Sequence, residues 1–212
     1  MPDGKTAAEN GEERGLDMDA LQAILTRRST RKMKDEMPPA DLIEQVIEAG
    51  RAAPSGSDLQ LTHFIVISNR KILADLARIA REEFAKMEEA PDMYGALRRA
   101  IRASKTGDYV FHYNAPLLIV VANKKNMANA MADSSCALEN MMIAANALDL
   151  GSCWINQLHW LTDTEGIRSY MEGLGLAKDE TITGGLILGY GADGMPLRGS
   201  KEPKGNPVTW VR

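Results

Sequence analysis

Residues 132–148 are rich in Ala and Met and put apolar side chains on nearly every side of a helix, so a helix there lacks a clear polar face. A helix of that kind is buried, either inside a core or in a subunit interface. One domain of roughly 200 residues does not need so apolar a helix for its own core. The stretch therefore predicts a homodimer with an extensive apolar interface built partly on this helix.

The rest of the chain frames it with short β-rich runs and amphipathic helices. Helical spacing covers 18–26, 40–52 and 71–87, with a broken, charged stretch at 88–114 that contains helical pieces such as 96–104. That segment, within a lid-like region of about 82–114, is a candidate mobile lid. Strand-like runs occupy 63–68, 116–122, 152–155 and 181–188, and a further helix is expected over 163–172 with a cap at Thr162. Helices outnumber strands and do not alternate with them singly, which favours an α+β layered domain over a doubly wound parallel sheet. Residues 1–16 are polar and aperiodic and read as a flexible leader, leaving 17–212 as one domain.

Charge and cysteine usage exclude several function classes. With a net charge of −4, neither nucleic acid nor an anionic membrane is an expected partner. Cys136 and Cys153 are too few for a disulfide or metal framework, and His63, His112 and His159 are scattered, so no metal site is expected. No apolar run reaches membrane-span length and the start is polar and acidic, which predicts a cytoplasmic protein.

Residues 27–31 read Arg-Arg-Ser-Thr-Arg directly after the first helix. Arg27, Arg28 and Arg31 offer guanidinium forks that match phosphate oxygens, and Ser29 and Thr30 add hydroxyl donors. The same cations could merely complement the negative end of that helix in water. Other motifs carry less. Gly189, Gly191 and Gly194 match a dinucleotide fingerprint, but Met195-Pro196 follows where a helix must begin, so the segment is a turn. Glu82 and Glu83 read as a solvated helix face.

The order of the remaining features resembles the FMN-dependent nitroreductase family from about residue 18 to 211. It consists of Arg-Arg-Ser-x-Arg after the first helix, Ala-Ala-Pro-Ser-Gly-Ser at 52–57, Gly-Ser-Cys-Trp-Ile at 151–155, Leu-Gly-Tyr at 188–190 and a basic, Pro-rich tail. The resemblance implies a nitroreductase-like three-layer sandwich, a mixed or antiparallel central sheet flanked by helices, with two FMN molecules at a homodimer interface. It places Arg27, Arg28, Ser29 and Arg31 at the FMN phosphate and ribityl chain, and Pro54, Ser55 and Gly56 in a loop reaching the flavin from the partner subunit. Trp154, Ile155 and Asn156 match the segment along the isoalloxazine near N5, so flavin N5 carries the hydride and no catalytic side chain is expected. A second phosphate clamp falls at Lys201, with Arg198 as a nearby substitute.

Two departures stand out. Asp58 occupies a position commonly Asn in the family, either as an added negative charge beside the flavin or as a loop cap through an Asx-turn. Leu61-Thr62 replaces the usual Pro-Trp. The implied activity is an NAD(P)H oxidoreductase, with NADH or NADPH as reductant, reducing nitroaromatics, quinones or similar unsaturated acceptors by a ping-pong mechanism. The alternative is a specialised reductive dehalogenase-like (deiodinase-like) flavoenzyme, with contacts from 82–105, or a flavin carrier.

Overall fold

The computed structural model describes residues 18–107, 109–199 and 205–212. The expected leader at 1–16 and Lys201 lie outside the described residues. The elements are α1 (Ala20–Thr26), α2 (Ala40–Arg51), a 3-10 turn (Gly56–Asp58), β1 (His63–Ile67), α3 (Arg70–Lys86), α4 (Gly95–Thr106), β2 (Leu117–Lys124), α5 (Ala130–Ala147), β3 (Gly151–Ile155), α6 (Gln157–Trp160), α7 (Glu165–Gly173) and β4 (Glu180–Gly189).

Four strands form one antiparallel sheet in the order β1-β2-β4-β3. β2 is almost wholly buried because both of its faces are covered. Leu117, Ile119 and Val121 point to the α2/α5 layer, and Leu118, Val120 and Ala122 point to the α3, α4, α6 and α7 layer. A continuous apolar run thus still obeys the strand period of two, and the result is a three-layer α+β sandwich. β2 and β4 slip register between Val121 and Ala122, where Thr183 is the extra residue and donates its hydroxyl to the Val121 carbonyl at 3.0 Å.

Local chemistry sets several boundaries. Asn69 caps α3 by accepting from the Lys71 and Ile72 N–H groups at 3.0 and 3.2 Å. Replacing Asn69 with Ala should cost about 1 kcal/mol; urea unfolding at fixed protein concentration measures it, and an unchanged midpoint would mean that tertiary packing alone holds the α3 start.

Two sequence expectations need correction. The cap of α7 is Thr164, not Thr162; the Thr162 hydroxyl accepts from the Ile182 N–H at 2.9 Å and ties the loop to β4 instead. Glu82 is exposed and pairs with Arg78, but the Glu83 side chain is only 11% exposed and pairs with Lys86 against the small Gly166. The short helix α6 carries no periodic signal because four residues are too few to show one.

α5 is buried along one stripe (Ala137, Leu138, Met141, Met142, Ala145), which also takes in Asp133, Ser134 and Asn146. At its start Met131 is 43% exposed, while on α1 Leu21 and Leu25 are 70% and 72% exposed.

Candidate functional site

The site is organised by a strand-like segment that follows α1. Thr30 N–H donates to the Ser152 carbonyl at 2.8 Å, and Ser29 pairs with Ser152 in parallel. Further on, Lys34 N–H donates to the Tyr190 carbonyl at 2.9 Å. Ser29 and Thr30 thus lie on the free edge of β3, and Met33 and Lys34 lie against the segment that follows β4. Thr30 is 3% exposed, and Gly151 makes room for it. A Cβ on Gly151 would stand 2.8 Å from Thr30 Cγ2.

An extended segment alternates its side chains, so anchoring Thr30 inward sends Arg27, Ser29 and Arg31 the other way. All three gather beside Cys153. Burial pushes the Cys153 thiol up, while the Arg31 and Arg27 charges and the Ser29 hydroxyl partly oppose that shift. A raised thiol pKa favours the uncharged form, so Cys153 is packing rather than nucleophile. Arg28 leaves on the opposite side, its guanidinium lying over Gly199.

Arg27 pairs with Arg198 in an antiparallel bridge. The Arg198 Nη2 donates to the Asn146 carbonyl at 2.7 Å and meets an Asp149 oxygen at 2.6 Å. Asn146 in turn donates to the Ala23 carbonyl at 2.8 Å and to the Thr26 hydroxyl at 3.0 Å, which fixes the C-terminus of α1. The Nε atoms of Arg27 and Arg198 are buried without an aligned hydrogen bond, although Arg27 Nε lies 3.2 Å from a Glu139 oxygen. Three guanidinium groups (Arg27, Arg31, Arg198) therefore gather near the carboxylates of Glu139 and Asp149, and two of their donors lack an aligned acceptor. This is the chemistry of an anion cradle.

One residue on from Cys153 and on the other face of β3, Trp154 donates its indole N–H to Asn156 Oδ1 at 2.6 Å, and Gly184 leaves the space the indole occupies. Trp154 and Asn156 are half-buried, whereas Ile155 packs into the core.

The loop after α2 is built separately. Gly56 N–H donates to Asp133 Oδ1 on α5 at 3.0 Å, and a side chain at Gly56 would have to displace the Asn129 amide. Ser55 Oγ accepts from Gln60 N–H at 3.0 Å, and Pro54 is exposed. Asp58 is also exposed and accepts from the Gln60 side-chain amide at 2.9 Å, a side-chain bond rather than an Asx-turn. Ser57, Asp58 and Gln60 all sit at positive φ, a costly conformation for residues with a side chain.

The two groups of predicted residues are not adjacent within one chain. The loop is tethered at Asp133, whereas the cradle is anchored at Glu139 and Asn146. At 1.5 Å per residue these lie about 9 and 20 Å further along α5. The sequence reading missed Asp133, Glu139 and Asn146. Their signal was polar residues interrupting an otherwise apolar helix, where a buried polar group needs a partner.

Comparison with known proteins agrees with the architecture. The sequence model of the Nitroreductase family matches residues 24–190. A relative from Methanothermobacter thermautotrophicus, named "Putative NADH dehydrogenase/NAD(P)H nitroreductase", is 31% identical over 193 residues, covering 88% of this chain and 84% of its own. A solved nitroreductase with bound FMN from Bacteroides fragilis superposes with a TM-score of 0.82 at 34% identity, covering 92% of this chain and all of that one. An iodotyrosine deiodinase bound to FMN and 3-iodo-L-tyrosine shares the fold at a TM-score of 0.68 and 18% identity, covering 92% of this chain and 99% of its own.

Proposed function

The chain belongs to the nitroreductase family, and from that premise we propose an FMN-dependent NAD(P)H oxidoreductase that reduces nitroaromatics, quinones or similar unsaturated acceptors by a ping-pong mechanism. The observation that supports this most is the docking of Ser29 and Thr30 on the β3 edge, which gathers Arg27, Ser29 and Arg31 beside Cys153.

The residues present fit FMN. Its phosphate is a dianion near neutral pH, and the buried, unaligned Nε donors of Arg27 and Arg198 are what such an anion would satisfy. Arg27, Ser29 and Arg31 would hold the phosphate and ribityl chain, with Lys201 a candidate second clamp. Arg28, turned toward Gly199, would steady the tail that carries Arg198. Trp154, Ile155 and Asn156 would flank the ring, the Trp154–Asn156 bond fixing both side chains. When bound, FMN accepts a hydride from NADH or NADPH and passes the electrons to the acceptor, so the polypeptide need supply neither nucleophile nor metal. Its task is binding, orientation and exclusion of water.

A homodimer completes this reading. One copy's Pro54–Ser55–Gly56 loop, held at the Asp133 end of α5, would reach the cradle of the other. The exposed Leu21, Leu25 and Met131 are apolar surface that a partner would cover. No described helix is long and apolar enough to cross a membrane.

Asp58 places a charge at the loop tip. Asp58→Asn should raise the midpoint potential of bound FMN, on the order of tens of millivolts for one unit charge nearby. Spectroelectrochemistry on both proteins measures the shift, and identical potentials would place Asp58 away from the ring.

In the charged segment Arg102 pairs with Glu89 at 2.7 Å and Lys105 with Glu88 at 3.5 Å, surface pairs that open at little cost, so turnover and not this segment separates the deiodinase-like alternative. Steady-state kinetics with a nitroaromatic and a quinone tests the proposal. Parallel double-reciprocal lines are expected; turnover confined to a halogenated tyrosine would overturn it.

A further inference from the structure

A second candidate site lies on the sheet face opposite α5. One face of α3 (Arg70, Ala74, Ala77, Arg78, Arg81) looks onto the turn that precedes β2, and a cavity of about 280 Å³ opens between them. The spacing of three and four residues puts these side chains in one helical row. Ala74 and Ala77 make the hollow, because neither side chain extends beyond Cβ. Leu73, Val110 and Ala115 give it apolar walls, and Tyr109 and Asn114 complete the lining.

His112 enters this wall with 5% exposure and no aligned hydrogen bond to either ring nitrogen. Both ring nitrogens are shielded from solvent, and the backbone of Leu73 and of His112 itself lies within hydrogen-bonding reach of the ring. Burial lowers the His112 pKa more than those backbone contacts raise it. The turn itself is held in a rare conformation, with Tyr113 and Asn114 at φ of 53° and 55°. Such backbone persists only where its surroundings enforce it.

The charge around the cavity is positive. Arg70 pairs with Asp35 and Arg78 with Glu82, but both pairs are solvent-exposed and so give way at little cost. A carboxylate accepts two parallel N–H bonds from one guanidinium, which a water cannot do. The volume lies just below that of most ligand pockets, which run from about 300 to 1,000 Å³, and so suits a small molecule.

We propose that this cavity binds a small carboxylate with an apolar body, its anionic head on the Arg70 and Arg78 guanidinium groups and its body against Leu73, Ala77 and Val110, with the His112 ring in the wall beside it. The site is separate from the phosphate cradle and shares no residue with it.

The test is ¹H–¹³C NMR of the purified, cofactor-loaded protein, in which His112 is one of three histidines. Benzoate is the probe. A saturable shift of the His112 ring signals is expected, with His63 and His159 unmoved. Arg78→Gln should weaken the apparent affinity roughly fivefold to tenfold, the loss of one charge-assisted contact at a partly solvated site. Ala74→Phe puts a ring in the cavity mouth from an exposed position and should abolish the shift. Benzyl alcohol and inorganic phosphate, which keep only the body or only the charge, should each bind more weakly than benzoate. A His112 signal that ignores benzoate, a shift that survives Ala74→Phe, or phosphate acting as strongly as benzoate would overturn the proposal.

Discussion

Arg27→Ala should weaken FMN binding by roughly 1.5–3 kcal/mol, about tenfold to more than a hundredfold in Kd. The side chain sits at the meeting point of α1, α5 and the Arg198 strand, 25% exposed, with a buried Nε that lacks an aligned acceptor. Removing it takes away a guanidinium fork. It also leaves Glu139 as an unopposed carboxylate at the cradle, so the remaining charge works against the phosphate. Arg27→Lys should recover only part of the loss, because an ammonium cannot reproduce the fork. Fluorescence titration of the cofactor-free protein with FMN measures this, and wild-type affinity in Arg27→Ala would remove Arg27 from the phosphate site.

Gly151→Ala tests how the cradle is assembled rather than its charge. The added methyl would stand 2.8 Å from Thr30 Cγ2 and 3.0 Å from Thr30 Cβ. Thr30 is buried, so it has little room to retreat. Overpacking of this kind costs about 1–3 kcal/mol. The displaced element is the segment that carries Arg27, Ser29 and Arg31, so FMN affinity should fall along with thermal stability. Thr30→Ser deletes the clashing Cγ2, and the double variant should regain part of both losses. Equal losses in the single and double variants would mean that the methyl meets something other than Thr30.

Much of the fold was legible because its signals are local. The apolar run of β2, the spacing of α2 and α3, and the Pro-Ser-Gly turn all follow from side-chain period and turn chemistry. α6 and the Thr164 cap were not legible, since a four-residue helix shows no period and Thr162 and Thr164 offer the same hydroxyl. Within the candidate site, the 27–31 cluster announced its anion chemistry by composition. The sequence could not reveal that Thr30 points inward while Arg27, Ser29 and Arg31 share the other side. That depends on the parallel docking to Ser152, a long-range contact made possible by the missing side chain of Gly151. Asp133 and Asn146 were hidden for a related reason. Each looks like an interruption in an apolar helix until its distant backbone partner, Gly56 N–H or the Ala23 carbonyl, is placed beside it.

The central claim is that this fold holds a flavin that takes electrons from a nicotinamide. Anaerobic addition of NADH or NADPH to the purified protein tests it most directly. The account predicts a yellow protein whose visible absorbance bleaches with one equivalent of nicotinamide per subunit and returns when a quinone is added. A colourless protein that ignores added FMN, or a yellow one whose colour survives excess NADH and NADPH, would contradict it.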